Sequence, residues 1–183
     1  MEKDLYMVAL IPNHIKNQLS KYQKEISNIY GLYDEYPELH ITLSKLVYND
    51  EEQIFKLISI LNHNLASQKP FPVEINGASC FNPPYKSVNI HVIKNEHLIN
   101  ISKIIDDSAL GFNITPADTY KDREYHISIA NPNFAKKDWS DKEYEEACHL
   151  IQGKDIHKEF IIDTIQMWYP IKEDYIITSF NLK

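Results

Sequence analysis

Glycine is scarce in this chain, with four among 183 residues. The glycine-rich loops that cradle nucleotide phosphates cannot be assembled from so few, and ATP-driven chemistry is not expected. Two cysteines, Cys80 and Cys148, are too few for a disulfide framework and belong to no Cys-x-x-Cys pair, so a reducing compartment is expected. Positive charge is in deficit as well. With 19 Lys and Arg against 26 Asp and Glu, the formal net charge is −7, whereas proteins that hold long duplex nucleic acid carry a basic surface. A short oligonucleotide or an RNA end stays compatible. Long apolar runs are also missing: Leu5 to Ile11 follows Glu2, Lys3 and Asp4 and is too short for a membrane span or a signal peptide. A cytoplasmic, monomeric protein with no membrane partner is expected.

Metal-ligand spacing is absent too. Apart from His40 and His126, the histidines are His14, His63, His91, His97, His149 and His157, with no His-x-x-x-His pair and no Cys/His cluster. His157 near Asp155 and Glu159 is the one suggestive group, and solvated turn chemistry explains it better. Neither a metal nor a cofactor is expected. The length suits one domain, residues 1–183, divisible into two lobes.

Periodicity orders the elements. Leu5 to Ile11 reads as a strand closed by Pro12. A helix from His14 to Tyr30 follows, with Ile15, Leu19, Tyr22, Ile26 and Ile29 on one face and Gly31 as its stop. Leu39 to Tyr48 is a strand, and Asn49 or Asp50 caps a helix through Ala66. Strands at Val73 to Cys80 and Ser87 to Ile93 flank a turn at Asn82-Pro83-Pro84. A helix from Glu96 to Ala109 and an irregular stretch through Lys121 lead to a strand at Tyr125, then a helix from Asp141 to Ile151. Phe160 to Tyr169 and Tyr175 to Leu182 read as a closing hairpin around a turn that contains Pro170. The order predicts an α+β protein with antiparallel sheets covered by helices.

Two stretches within that order carry the chemistry. Leu39-His40-Ile41-Thr42-Leu43 is answered 86 positions later by Tyr125-His126-Ile127-Ser128-Ile129. A strand sends alternate side chains to opposite faces, so each histidine shares a face with the hydroxyl two residues on while the apolar neighbours face the core. Cleaving a phosphodiester needs a base for the attacking hydroxyl or water and an acid for the departing oxygen. Imidazole serves either role near neutrality. The hydroxyls of Thr42 and Ser128 can donate to non-bridging phosphate oxygens in the transition state. His40, Thr42, His126 and Ser128 are therefore the candidate catalytic residues.

This arrangement resembles the 2H phosphoesterase superfamily, with its two His-x-Thr/Ser motifs. The opening strand closed by Pro12, the long helix after it and Glu38-Leu39 leading into the first motif are similar to the family pattern. The resemblance implies two antiparallel sheets flanked by helices around a central groove, related by a pseudo-two-fold axis, with both histidines in the cleft. It further implies a metal-independent phosphodiesterase acting on a 2′-5′ or 3′-5′ oligonucleotide, a cyclic oligonucleotide or a 2′,3′-cyclic phosphate, with the subfamily and the nucleophile open. The alternatives are an RNA- or nucleotide-binding module without turnover and a 2′-5′ RNA ligase. Candidate substrate-binding residues are Tyr6 on the groove face of the first strand, Trp168 and Tyr169 as stacking aromatics, and Arg123, with Lys121, as a phosphate attractor.

Overall fold

The computed structural model describes residues 2–170 and 175–183. Nine strands and four α-helices are present among them. They are β1 (Lys3–Leu10), α1 (Asn13–Tyr30), β2 (His40–Tyr48), α2 (Glu51–Leu65), β3 (Phe71–Phe81), β4 (Ser87–Val92), α3 (Glu96–Leu110), β5 (Thr115–Pro116), β6 (His126–Ala130), α4 (Asp141–Gln152), β7 (His157–Ile162), β8 (Thr164–Trp168) and β9 (Ile176–Asn181). No helix among the described residues is long and apolar enough to cross a membrane.

The strands form one antiparallel sheet in the order β7-β3-β4-β6-β2-β1-β8-β9, with β5 on β2. The two sheets expected are its two halves, four strands each, joined where β6 meets β2 through the single pair Ile41↔Ile127. The pattern from Phe160 to Tyr169 reads as one strand, but it breaks at Asp163. The part before pairs with β3 at one end of the sheet, and the part after pairs with β1 toward the other. One residue bridges them, so the ends of the sheet lie close and the sheet is curled. Only the change of partner at Asp163 separates β7 from β8, and residue type does not record partners. The β8–β9 pairing matches the expected hairpin, while its turn beyond Pro170 lies outside the described residues.

The convex face carries the core. Leu5, Met7, Ile41, Leu43, Ile127 and Ile129 are fully buried, each contributing roughly 1.5–3 kcal/mol from burial. Helices α2 and α3 cover the β2 half, and α1 and α4 cover the β6 half. The apolar stripe of α1 is rotated from expectation. Ile29 is 55% exposed, while Gln23 and Ser27 are buried. Gln23 donates to the Pro37 carbonyl at 3.0 Å, and Ser27 Oγ accepts from the Tyr33 amide at 3.0 Å. Polar groups of the helix thus hold the loop that leads into β2. Gly31 ends α1 in the left-handed region, φ 63°, and its amide bonds the Ser27 carbonyl at 2.7 Å.

Strand β2 departs from strict alternation. The pairing Met7↔Ser44 is followed by Val8↔Thr42, so a bulge lets both Leu43 and Ser44 point inward. Arg123 closes this irregularity. Its guanidinium donates to the Leu43 carbonyl and to Asp118 at 2.6 Å, and it lies 3.3 Å from Asp106, which accepts from Ser44 at 2.6 Å. Arg123 and Asp106 are each 5% exposed. Reading Arg123 as a phosphate attractor is therefore corrected, because its charge is spent inside the fold. The cysteines, 68 positions apart, are joined as Cys80–Cys148 and tie β3 to α4. Counting cysteines gave no sign of the bridge, because linear spacing hides that β3 lies under α4.

Arg123→Ala is expected to cost about 3–5 kcal/mol, since it leaves a buried carboxylate without its cation. Burial already pushes the Asp106 carboxyl above its ordinary value against the Ser44 bond and the Arg123 charge. A protonated Asp106 needs no cation, so the loss shrinks as pH falls toward about 4. Urea unfolding of variant and parent at pH 7 and pH 4.5 checks both size and direction.

Candidate active site

The Ile41↔Ile127 pair sets the centre of the concave face. In antiparallel register its flanking residues set His40 across from Ser128 and Thr42 across from His126, so each histidine stands opposite the other motif's hydroxyl residue. The two histidines are then diagonal neighbours across the pair. Adjacent strands extend this face. Val8 and Leu10 of β1 lie beside Thr42 and His40, Gln166 and Trp168 of β8 lie beyond Val8 and Tyr6, and Asn89 and His91 of β4 lie beside Ser128 and His126.

Both imidazoles are oriented alike. His40 Nδ1 lies 2.7 Å from the Glu38 carbonyl, and His126 Nδ1 lies 3.3 Å from the Glu124 carbonyl. A carbonyl oxygen only accepts, so each Nδ1 carries the hydrogen and each Nε2 is left with its lone pair. The shared device is Glu-x-His-x-Thr/Ser, legible in both copies as Glu38 and Glu124. An aromatic ring meets each imidazole edge-on, Trp168 with His40 at 4.6 Å between centroids and Phe81 with His126 at 4.8 Å.

Burial pushes both imidazoles below their ordinary pKa. His40 is lowered first by burial, is raised by the Glu38 carbonyl bond, is lowered by the charge of His126 and is raised slightly by the Glu38 carboxylate. For His126, burial is opposed by the Glu124 carbonyl and then by its carboxylate. Ser128 Oγ donates to Asn89 Oδ1 at 3.0 Å, and Asn89 Nδ2 is held by Ser87 Oγ at 3.1 Å. Asn89 and Phe81 were not singled out from the sequence. Only the parity of β3 and β4 relative to the second motif could have found them.

The four candidate catalytic residues therefore converge. Tyr6 also lies on this face, opposite Trp168 and Lys45, whose ammonium is 5.9 Å from its ring. Trp168 does not offer a stacking platform. It is 2% exposed, packs on His40 and donates to Gln166 at 2.8 Å. Tyr169 turns to the other face and donates to Glu51 at 3.1 Å, beside Lys3. Strand alternation separates the two, because adjacent positions cannot both face the groove. Lys121 is exposed, and its carbonyl accepts from Lys94. Among the described residues no three His, Cys, Asp or Glu side chains are grouped so as to hold a metal ion.

Residues 3–172 match the HVSL family of uncharacterised conserved proteins. An RNA 2′,3′-cyclic phosphodiesterase of Methanocaldococcus jannaschii is 33% identical over 135 residues, 71% of this chain and 72% of its own. The chain belongs to the HVSL family, within the 2H phosphoesterases. A Geobacillus kaustophilus protein carrying a phosphoesterase name is 24% identical over 170 residues, 91% of this chain and 87% of its own. The fold is shared with Escherichia coli LigT in complex with 3′-AMP (TM-score 0.71, 13% identity, 100% and 99% of the two chains). It is also shared with the Thermus thermophilus protein TT0787 (TM-score 0.70, 14% identity, 98% and 97%). As a 2H phosphoesterase this protein is a phosphodiesterase.

Removing the indole that buries His40 should return its imidazole toward the ordinary value of about 6.5. In Trp168→Ala the His40 titration, followed by proton NMR, is expected to move upward, with His126 displaced less. An unchanged His40 would show that some other contact keeps it dry.

Proposed function

We propose that this protein is a metal-independent phosphodiesterase acting on RNA-type linkages by paired-histidine acid/base catalysis, with a nucleoside 2′,3′-cyclic phosphate as its first candidate substrate. The observation that carries the reading is the pair of imidazoles, each fixed through Nδ1 to a carbonyl and both carried on the strands that meet at Ile41↔Ile127. The archaeal relative's name supports the substrate class. The whole chain, residues 1–183, acts as one catalytic unit of two lobes.

The surroundings divide the roles. The Glu38 carboxylate is taken by Lys16, leaving half-buried His40 to stay neutral as the base. The Glu124 carboxylate has no cation partner among the described ion pairs and favours the imidazolium of His126, the acid. His40 Nε2 removes a proton from water as the water oxygen bonds to phosphorus. The P–O bond to the ribose breaks, and His126 Nε2 delivers its proton to the departing oxygen. Thr42 donates to a non-bridging oxygen. Ser128 does so once its hydrogen leaves Asn89, and Asn89 holds that hydroxyl in place until substrate arrives.

His40→Ala and His126→Ala should each lower kcat by about 10²-fold or more, and the double variant should be little worse than either single, because the pair acts as a unit. Thr42→Ala and Ser128→Ala should lose less. Hydrolysis of adenosine 2′,3′-cyclic phosphate in EDTA is the assay. Full activity in a histidine variant, or activity that a chelator abolishes and a divalent ion restores, removes the mechanism.

The pH profile has a defined sign. His40 must be deprotonated, which is lost as pH falls through its lowered pKa. His126 must be protonated, which is lost as pH rises through its own lowered pKa. The bell in kcat/KM should therefore centre on the acid side of about 6.5. A maximum well above pH 7 would contradict the burial of both rings.

A further inference from the structure

Beside His91, the cross-strand partner of His126, lies a cavity of about 520 Å³. Its polar lining comes from Ser79 of β3, His91 of β4, Lys94 just after it, and Asp122 and Glu124 on the approach to β6. His91 is the direct cross-strand partner of His126 and is exposed on the same face. Glu124 shares the parity of His126. The opposite side of the cleft is closed by Trp168 against His40. A group attached to the phosphate therefore has room to extend on the His126 side.

Charge decides what the cavity can hold. Asp122 and Glu124 bring two carboxylates, Lys94 spends its ammonium on the Lys121 carbonyl, and Arg123 is neutralised by Asp106 and Asp118. A second phosphate would meet no net positive charge there. A neutral group rich in donors and acceptors would find both kinds of partner. The volume lies within the roughly 300–1,000 Å³ of small-molecule sites.

We propose that this cavity is the nucleoside subsite of the leaving group: His91, Ser79 and Glu124 hydrogen-bond the ribose and base edge of the nucleoside whose oxygen His126 protonates. The inference rests on the function proposed above and adds where the nucleoside sits and which residues select it. In ring opening of a 2′,3′-cyclic phosphate, and in cleavage of an internucleotide bond by a ribose hydroxyl, the departing oxygen belongs to a nucleoside.

The test uses the full-length protein and the imidazole signals in proton–carbon NMR, with His91 assigned by its loss in His91→Ala. Inorganic phosphate should shift His40 and His126 and leave His91 in place, whereas adenosine 3′-monophosphate should shift all three. A nucleotide that leaves His91 unmoved overturns the subsite, and so does inorganic phosphate moving His91 as far as the nucleotide does, which would make the cavity an anion site. Kinetics form the second arm, comparing adenosine 2′,3′-cyclic phosphate with the base-free 1-O-methylribose 2′,3′-cyclic phosphate. The parent should favour the nucleoside at least tenfold in kcat/KM, and His91→Ala should erase most of that ratio. An unchanged ratio overturns the proposal. Turnover of neither substrate, with His91 still shifted by the nucleotide, would fail the proposed reaction and leave the subsite standing.

Discussion

The pairing of Ile41 with Ile127 is the contact on which the rest depends. It is the only ladder pair between β2 and β6, yet it joins two four-stranded halves and sets the spacing of both histidines. A slip of one residue would turn His40 or His126 into the core and an isoleucine into the cleft, at the cost of burying an imidazole and exposing a fully buried side chain. The apolar partners on the convex face, Leu43 and Ile129 among them, hold the register against that slip. Because the strands part on either side of the single pair, the cleft opens where the candidate catalytic groups lie.

A concave sheet face lined with imidazoles is costly unless the rings stay neutral. Both Nδ1 hydrogens are satisfied by carbonyls two residues back, so burial leaves one unfilled acceptor on each ring. That acceptor is the atom the proposed chemistry uses. Edge-on aromatics complete the enclosure, and they divide the cleft unequally. Trp168 is sealed under its neighbours, while Phe81 is only half-buried. The same device, repeated about a pseudo-two-fold axis, thus yields one closed wall and one open one.

Much of this was legible in the residues. The alternation around His40 and His126 placed both motifs on strands, and the hydrophobic spacing of α2 and α3 located those helices to within a residue or two. What escaped depended on partners far along the chain. Arg123 beside a motif reads as a phosphate ligand until Asp106, brought in by α3, and the bulge at Leu43 are placed around it. Trp168 and Tyr169 read alike until parity sends one to His40 and the other to Glu51. The bridge between Cys80 and Cys148 and the break at Asp163 are likewise tertiary facts, carried by which strand lies beside which.

The half of the cleft that holds Phe81, Asn89 and His91 hangs on the β3–β4 hairpin, and the fold fastens that hairpin at two points. Cys80 is bonded to Cys148 of α4. Lys86, at the tip, donates to the Trp139 carbonyl at 2.7 Å, while the Trp139 indole donates to the Lys86 carbonyl at 3.0 Å. Helix α4 in turn is capped at Ser140, the residue after Trp139, by a reciprocal bond with Glu143. The helix start, the tryptophan and the hairpin tip therefore form one connected structure. The proton transfer proposed for His126 tolerates little drift of Phe81 or Asn89. A hairpin with a free tip would leave both on its most mobile part. Fastening it to α4 transfers their positioning from a loop to a packed helix, which is why the open wall of the cleft can be exposed without being loose.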